Sequence, residues 1–337
     1  MEKTIRGGIC LQKESLCCLL AAPVARMLSN CALDMEKLQE IRLRVGRPVL
    51  VRYQGREFVL CRPGKLSPKA ADGYRITEED LKETLEYVSG YSLYAFDEEV
   101  RQGFLTVQGG HRIGLAGHAV MEGDRIRSLR SISSLNIRLS HQIRGCADPL
   151  MSWMYEEGEV CSTLILSPPG GGKTTLLRDL IRQISDGGVY GDGRTVGVVD
   201  ERSELAGSYL GVPQNDLGMR TDILDGCRKP EGMMMLLRSM APEVIAVDEL
   251  GNGKDGEAIE QVFTCGCRLL ATVHGASMEE MKHKPLLEKL LRERAFDRYV
   301  VLADRGKPGE VREIYDRDGA LLFPRSKEPG NCTSMDI

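Results

Sequence analysis

Residues 161–184 read CSTLILSPPGGGKTTLLRDLIRQI. An apolar strand runs into a turn of prolines and glycines, and an amphipathic helix follows. Strand, glycine-rich loop and helix in that order form the setting of a phosphate-binding loop. Across Ser167, Pro168, Pro169, Gly170, Gly171, Gly172, Lys173, Thr174 and Thr175 the glycines let backbone N–H groups converge on a β-phosphate. The helix adds its positive N-terminus. Lys173 can reach the β- and γ-phosphates, and the Thr174 hydroxyl can ligand Mg²⁺. The pattern G-x-x-x-x-G-K-[ST] asks for glycine at 167, where this chain has serine. The glycines, lysine and threonine after it are intact, so the segment predicts a nucleoside triphosphate and Mg²⁺ site, with no base-specific motif to tell ATP from GTP.

Further along, Val244-Ile245-Ala246-Val247 ends in Asp248 and Glu249. At the carboxyl end of a parallel strand Asp248 can hold Mg²⁺ through water, while Glu249 orients or deprotonates the attacking water. Hydrolysis, and not binding alone, is implied. Asp200, Glu201 and Glu204 follow a strand at Thr195–Val199, and His274 follows one at Leu269–Val273. Open α/β sheets bind ligands at those ends. His274 can sense the γ-phosphate, and Glu201 or Glu204 is the next candidate should Glu249 not be the catalytic carboxylate.

The 337 residues suggest two domains. Strands expected at 161–166, 195–200, 243–248, 268–273 and 298–303, with helices between them, give residues 146–325 an α/β pattern, that of a RecA-like P-loop ATPase domain. A hairpin at 309–316 and 320–323 follows. Residues 1–145 read as a smaller α+β domain. In it a helix over Leu16–Leu28 is interrupted at Pro23, strands are expected at Ile41–Val45 and Val49–Tyr53, and residues 62–75 form a surface loop. Thr77 opens a helix, and strands turn at Gly109-Gly110 and Glu122-Gly123-Asp124. A helix is expected near Asp148–Glu157, and the tail 326–337 reads as frayed.

Charge divides along the same line. Residues 1–150 carry a net +4 and residues 151–337 a net −8, with arginine outnumbering lysine 16 to 6 in the first part. That bias suits docking on an acidic neighbour or a nucleotide. Apolar residues make up 42%, which is ordinary globular composition. No apolar run approaches the ~20 residues of a membrane span, and MEKTIRGGICLQKES lacks the features of a signal peptide. A cytoplasmic protein is expected. The 11 cysteines fit reduced thiols, and Cys265 with Cys267 has no second pair at zinc spacing, so no metal cluster is expected. Aromatics are only 5%, which limits base stacking and argues against a nucleic-acid partner.

In their order, these motifs resemble the hexameric traffic ATPases of type II and type IV secretion and of type IV pili. The phosphate loop, the acidic box VVDERSE (198–204), Leu237-Arg238, Pro242-Glu243 into Asp248-Glu249, and Thr272-Val273-His274 carry the resemblance. Asp248 stands where pilus members have glycine, and the tetracysteine zinc module of type II members is absent. With SLYAFDEEVRQGFLTVQGGHRIGLAGH (92–118) and SSLNIRLSH (133–141), the departures are similar to the stage III sporulation branch of endospore-forming bacteria. The resemblance implies a ring of self-associated subunits, a hexamer as in that family, in which Arg112 and Arg138 act on a neighbour's γ-phosphate. It also implies a mother-cell ATPase for a channel to the forespore, held at the membrane by a small membrane protein. A nucleic-acid-binding P-loop ATPase is the alternative, because related plastid and cyanobacterial proteins attach RNA-binding modules to similar cores.

Overall fold

The computed structural model describes residues 13–92, 96–251, 253–304 and 307–323. The expectations for residues 1–12 and for the tail 326–337 lie outside the described residues. The chain groups into two compact units. One runs to His141 and takes in Gly207–Asn215, and the other runs from Gln142 to Ala206 and resumes at Asp216.

In the first unit β1 (Leu38–Arg44), β2 (Leu50–Tyr53), β3 (Arg56–Cys61), β4 (Lys65–Ser67), β5 (Phe104–Val107), β6 (His111–Glu122) and β7 (Arg125–Arg138) form one sheet. Its order is β4-β3-β2-β1-β7-β6-β5, antiparallel throughout. A register shift between Leu38 and Glu40 resets the alternation of β1, and Leu38, Ile41 and Leu43 are all buried. The helices Ala22–Asn30 and Glu78–Val88 add Val24, Leu28, Leu81 and Val88 to that core.

The helix is interrupted as expected, but just ahead of Pro23: residues 13–17 are helical, 18–21 are not, and Pro23 stands in the first turn of Ala22–Asn30, where its missing N–H costs nothing. Thr77 caps the next helix reciprocally. Its hydroxyl accepts the Asp80 N–H at 3.1 Å, and the Asp80 carboxylate accepts the Thr77 N–H at 3.0 Å. The expected loop 62–75 contains β4 and a 3₁₀ turn at Ala70–Asp72, because Lys65–Ser67 completes a ladder with Val59–Cys61.

The second unit is built on β10 (Thr163–Ser167), β11 (Val196–Asp200), β12 (Thr221–Asp225), β13 (Val244–Val247), β14 (Arg268–His274), β15 (Arg298–Leu302), β16 (Val311–Asp316) and β17 (Leu321–Phe323). The order is β12-β11-β13-β14-β10-β15-β16-β17, parallel up to β15 and antiparallel beyond it. Ile165 faces one core cluster while Leu164 and Leu166 face the other. Burial on both sides is what helices on both faces of a parallel sheet produce.

Helix Lys173–Asp186 supplies Leu176, Leu177, Leu180, Ile181 and Ile184 to the first cluster. Met233, Ile259 and Leu287, from three other helices, enter the second. Two expectations are corrected here. Helix forms only over Asp148–Met151, and the rest of 148–157 leads into a hairpin of β8 (Tyr155–Glu156) and β9 (Glu159–Val160). The polar edge strand β12 was not expected, since TDILD lacks the apolar run that marks its neighbours.

Residues 207–215 join the first unit through specific contacts. The Gly109 N–H donates to Gln214 Oε1 at 2.9 Å, and Tyr209 packs on the first core. A Cβ added at Gly110, where φ is +73°, would stand 3.5 Å from the Gly207 carbonyl oxygen.

Candidate active site

The phosphate loop follows β10 directly. Gly170 and Gly172 have φ of +81° and +87°, conformations that glycine adopts without cost. Residue 167 is outside that region, which explains why serine serves there. Ser167 is buried, and its hydroxyl donates to the Pro168 carbonyl at 2.8 Å. Gly172 is required for space as well, and Gly171 is crowded by a side chain. A Cβ at Gly171 would come within 2.4 Å of Ser167 Oγ, and one at Gly172 within 2.4 Å of the Gly309 nitrogen. Gly309 N–H in turn donates to the Gly171 carbonyl at 2.9 Å.

Helix Lys173–Asp186 starts at the end of this loop, and its first two side chains meet the carboxylates after β13. Lys173 Nζ lies 3.5 Å from Glu249 Oε2, and the Thr174 hydroxyl donates to Asp248 Oδ2 at 2.7 Å. Because β14 lies between β13 and β10, its carboxyl end completes the cluster. The Thr272 hydroxyl donates to the other Asp248 oxygen and accepts the Glu249 N–H, the latter at 2.9 Å. His274 Nε2 is 3.1 Å from Glu249 Oε1. His274 Nδ1 is buried without a partner, so Nε2 is the nitrogen that donates to Glu249.

Glu249 itself has φ +57°, a conformation uncommon for a residue with a side chain and concentrated at functional sites. Burial pushes its carboxyl up, but the Lys173 ammonium, helped by His274 and Arg202, outweighs burial and holds it below the usual range. Glu249 is therefore an ionised acceptor while Lys173 faces it.

The turn after β11 is clamped from two sides. Asp200, buried, accepts the N–H groups of Glu204, Leu205 and Ala206 at 2.8, 3.0 and 2.8 Å. Arg178, buried on the phosphate-loop helix, donates to the carbonyls of Leu205 and Glu204 at 2.8 and 2.7 Å. Burial, opposed by those N–H groups, pushes the Asp200 carboxyl up to about 6. With its oxygens committed to the backbone, Asp200 positions the turn. Glu201, ion-paired with Lys229, and Glu204 line a cleft of about 220 Å³ with Asp248 and Glu249.

The structure thus brings together Lys173, Thr174, Asp248, Glu249 and His274, with Glu201 and Glu204 beside them. Thr175 continues the helix with its carbonyl 3.6 Å from the Cys146 thiol. Arg112 and Arg138 belong to the first unit, opposite each other on β6 and β7. Sequence reasoning missed Arg178, Thr272, Lys229 and Arg202. Thr272 stood in the quoted box one residue from Val273, and Arg202 within DERSE, but neither position has a motif role to flag it.

Mg²⁺ fits the donor set. A hydroxyl and one carboxylate at 2.7 Å match a hard cation that takes few protein ligands and completes its shell with phosphate and water. Among the described residues no group of three or more His, Cys, Asp or Glu could hold a metal, and no helix is long and apolar enough to cross a membrane.

The family described as sporulation stage III, protein AA matches residues 11–322. Stage III sporulation protein AA of Bacillus subtilis (strain 168) is 42% identical over 286 residues, covering 85% of this chain and 89% of that protein. The solved structure of the pilus retraction motor PilT with bound ADP superposes with a TM-score of 0.55 at 17% identity, covering 88% of this chain and 84% of that one. The Legionella pneumophila ATPase DotB gives 0.54 at 15% identity, covering 83% and 76%. The two structures share the mixed α/β fold of this chain.

Proposed function

The chain belongs to the sporulation stage III protein AA family, and we propose that it is a P-loop ATPase of the secretion and traffic type that hydrolyses ATP to drive mechanical work. One observation carries this reading. Lys173, Thr174, Asp248, Glu249 and His274 converge at the carboxyl ends of the neighbouring parallel strands β10, β13 and β14.

In the proposed reaction the backbone of 168–173 cradles the phosphates and Lys173 turns from Glu249 to the γ-phosphate. Losing that ammonium raises the proton affinity of Glu249. Its carboxylate then accepts the proton of a water whose oxygen attacks the γ-phosphorus, and the bond to the β–γ bridging oxygen breaks, leaving ADP and phosphate. Thr174 and Asp248 would hold Mg²⁺, which when bound would supply charge neutralisation at the β- and γ-phosphates. His274 keeps Glu249 Oε1 oriented and registers loss of the γ-phosphate through the same bond.

In this reading residues 146–325 form the RecA-like motor domain and residues 1–145 the α+β domain that moves with it. The subunits close into a hexameric ring, and Arg112 and Arg138 complete a neighbour's site. The work is done on a channel between mother cell and forespore, from the mother-cell cytoplasm. A small membrane protein anchors the ring, and no nucleic acid takes part.

Phosphate release by the purified protein tests the chemistry. Wild type should turn over, Lys173→Ala should lose nucleotide affinity, and Glu249→Gln should keep ATP bound while turnover falls by about 10²-fold or more. Normal hydrolysis by Glu249→Gln would remove it as the base. Stimulation by single-stranded nucleic acid that persists at physiological salt would favour the nucleic-acid reading instead.

A further inference from the structure

Glu249 is surrounded by more positive charge than one carboxylate needs. Arg202 reaches it from the turn after β11, with a guanidinium nitrogen 3.4 Å from Oε2, the same oxygen that Lys173 approaches at 3.5 Å. His274 holds the other oxygen at 3.1 Å. The second cation lining the cleft, Lys229, is committed to Glu201 and its side chain is only 12% exposed. Arg202 differs. Its side chain is 64% exposed, and a solvated ion pair of that kind is weak and easily exchanged.

From this arrangement we infer that Arg202 is a γ-phosphate sensor acting within its own subunit. With no γ-phosphate present it shares Glu249 with Lys173. When ATP fills the loop, the γ-phosphate held by Lys173 lies within one side chain's reach of Arg202. The guanidinium then transfers to it, and a planar fork binds phosphate oxygens in pairs better than an ammonium can. Two consequences follow together: both cations leave Glu249 Oε2, freeing the carboxylate for water, and the ATP state is recorded in the turn that carries Arg202. That turn is pinned by Asp200 and Arg178 and continues into Gly207–Asn215, which is grouped with the first unit. ADP lacks the group that draws Arg202 away, so the ion pair to Glu249 re-forms after hydrolysis.

The inference rests on the ATPase reading, and nucleotide binding separates the two. Equilibrium binding of fluorescent ADP and of a fluorescent, non-hydrolysable ATP analogue should be measured for wild type, Arg202→Ala, Arg202→Lys and Lys173→Ala. In Arg202→Ala, affinity for the ATP analogue should fall about tenfold while ADP affinity stays within about twofold. Arg202→Lys should recover part of the difference. Equal losses for both nucleotides, or no loss for either, would overturn the sensor and leave Arg202 as a surface ion pair. Unchanged binding of both nucleotides by Lys173→Ala would overturn the phosphate-loop reading itself, and the sensor with it. Because Arg202 is exposed, thermal unfolding of its variants should match wild type.

Discussion

The Thr174 hydroxyl donates to Asp248 Oδ2 at 2.7 Å, joining the first turn of the phosphate-loop helix to the end of β13. The Thr272 hydroxyl occupies the other oxygen and accepts the Glu249 N–H. Thr272 thus holds the Asp248 carboxylate and the Glu249 backbone from β14, the strand between the two motifs. Thr272→Val should raise the Mg²⁺ concentration for half-maximal nucleotide binding about tenfold or more, as loss of a ligand's supporting hydrogen bond does. It also leaves the Glu249 N–H without its acceptor, at about 1–3 kcal/mol. Thr272→Ser should behave as wild type. A Mg²⁺ titration indifferent to Thr272→Val would mean that Asp248 does not serve the metal.

Ser167 and Gly171 are coupled by space. A Cβ at 171 would sit 2.4 Å from Ser167 Oγ, so Gly171→Ala must either turn the Ser167 hydroxyl off the Pro168 carbonyl or shift the loop, and should weaken ATP binding about tenfold. Ser167→Gly alone removes only the hydroxyl bond to Pro168 and should bind within about twofold of wild type. The double variant should recover part of the Gly171→Ala loss, since contacting residues are non-additive by about 0.5–3 kcal/mol. Strict additivity would show that the serine is not what confines residue 171.

The parts of the site legible in the sequence are those whose chemistry needs adjacent residues. Phosphate must be met by Gly170–Thr174 in one stretch, and Asp248 and Glu249 must share a strand end, so each leaves a local pattern. Thr272 and Arg202 act through neighbours that are remote in sequence, and their roles follow only once β14 is placed between β10 and β13 and β11 beside β13. The same reason hid residues 207–215. GSYLGVPQN has ordinary loop composition, and the partner of Gln214 is Gly109, 105 residues earlier in the sequence. The edge strand β12 was hidden for a different reason: one side of it needs no cover, so its apolar signal is short.

Two groups titrate with opposite effect on stability, Asp200 buried and His111 partly buried. Burial raises Asp200 from 3.8 to about 6, so its contribution is present at low pH and is lost as pH rises through about 4 to 6. Burial lowers His111 from 6.5 to about 4, so its contribution is present above 6.5 and is lost as pH falls through that window. Each corresponds to about 3 kcal/mol. Trp153, the one tryptophan, lies in the second unit with Asp200. Denaturant unfolding followed by its fluorescence should give Asp200→Asn a stability that rises from pH 4 to 6 relative to wild type. His111→Asn, followed by amide hydrogen exchange in the first unit, should show the reverse. Curves parallel to wild type in either variant would sink the corresponding assignment.

Arg112 and Arg138 face each other across β6 and β7, and Glu40 faces Arg138 from β1. The Arg112 guanidinium stacks on Phe104, 3.5 Å from the ring centroid, which limits the directions it can point. In the ring proposed above Arg112 meets a neighbouring subunit's γ-phosphate, and an arginine supplied in trans can contribute about 10³-fold in phosphoryl transfer. Arg112→Ala subunits and Lys173→Ala subunits should each be nearly inactive alone. Mixed, they should regain activity, because some interfaces then pair an intact Arg112 with an intact phosphate loop. The regained rate should peak near equal ratios and require co-assembly, which crosslinking of differently sized subunits verifies. Crosslinked mixed rings that stay inactive at every ratio would show that Arg112 does not complete a neighbour's site.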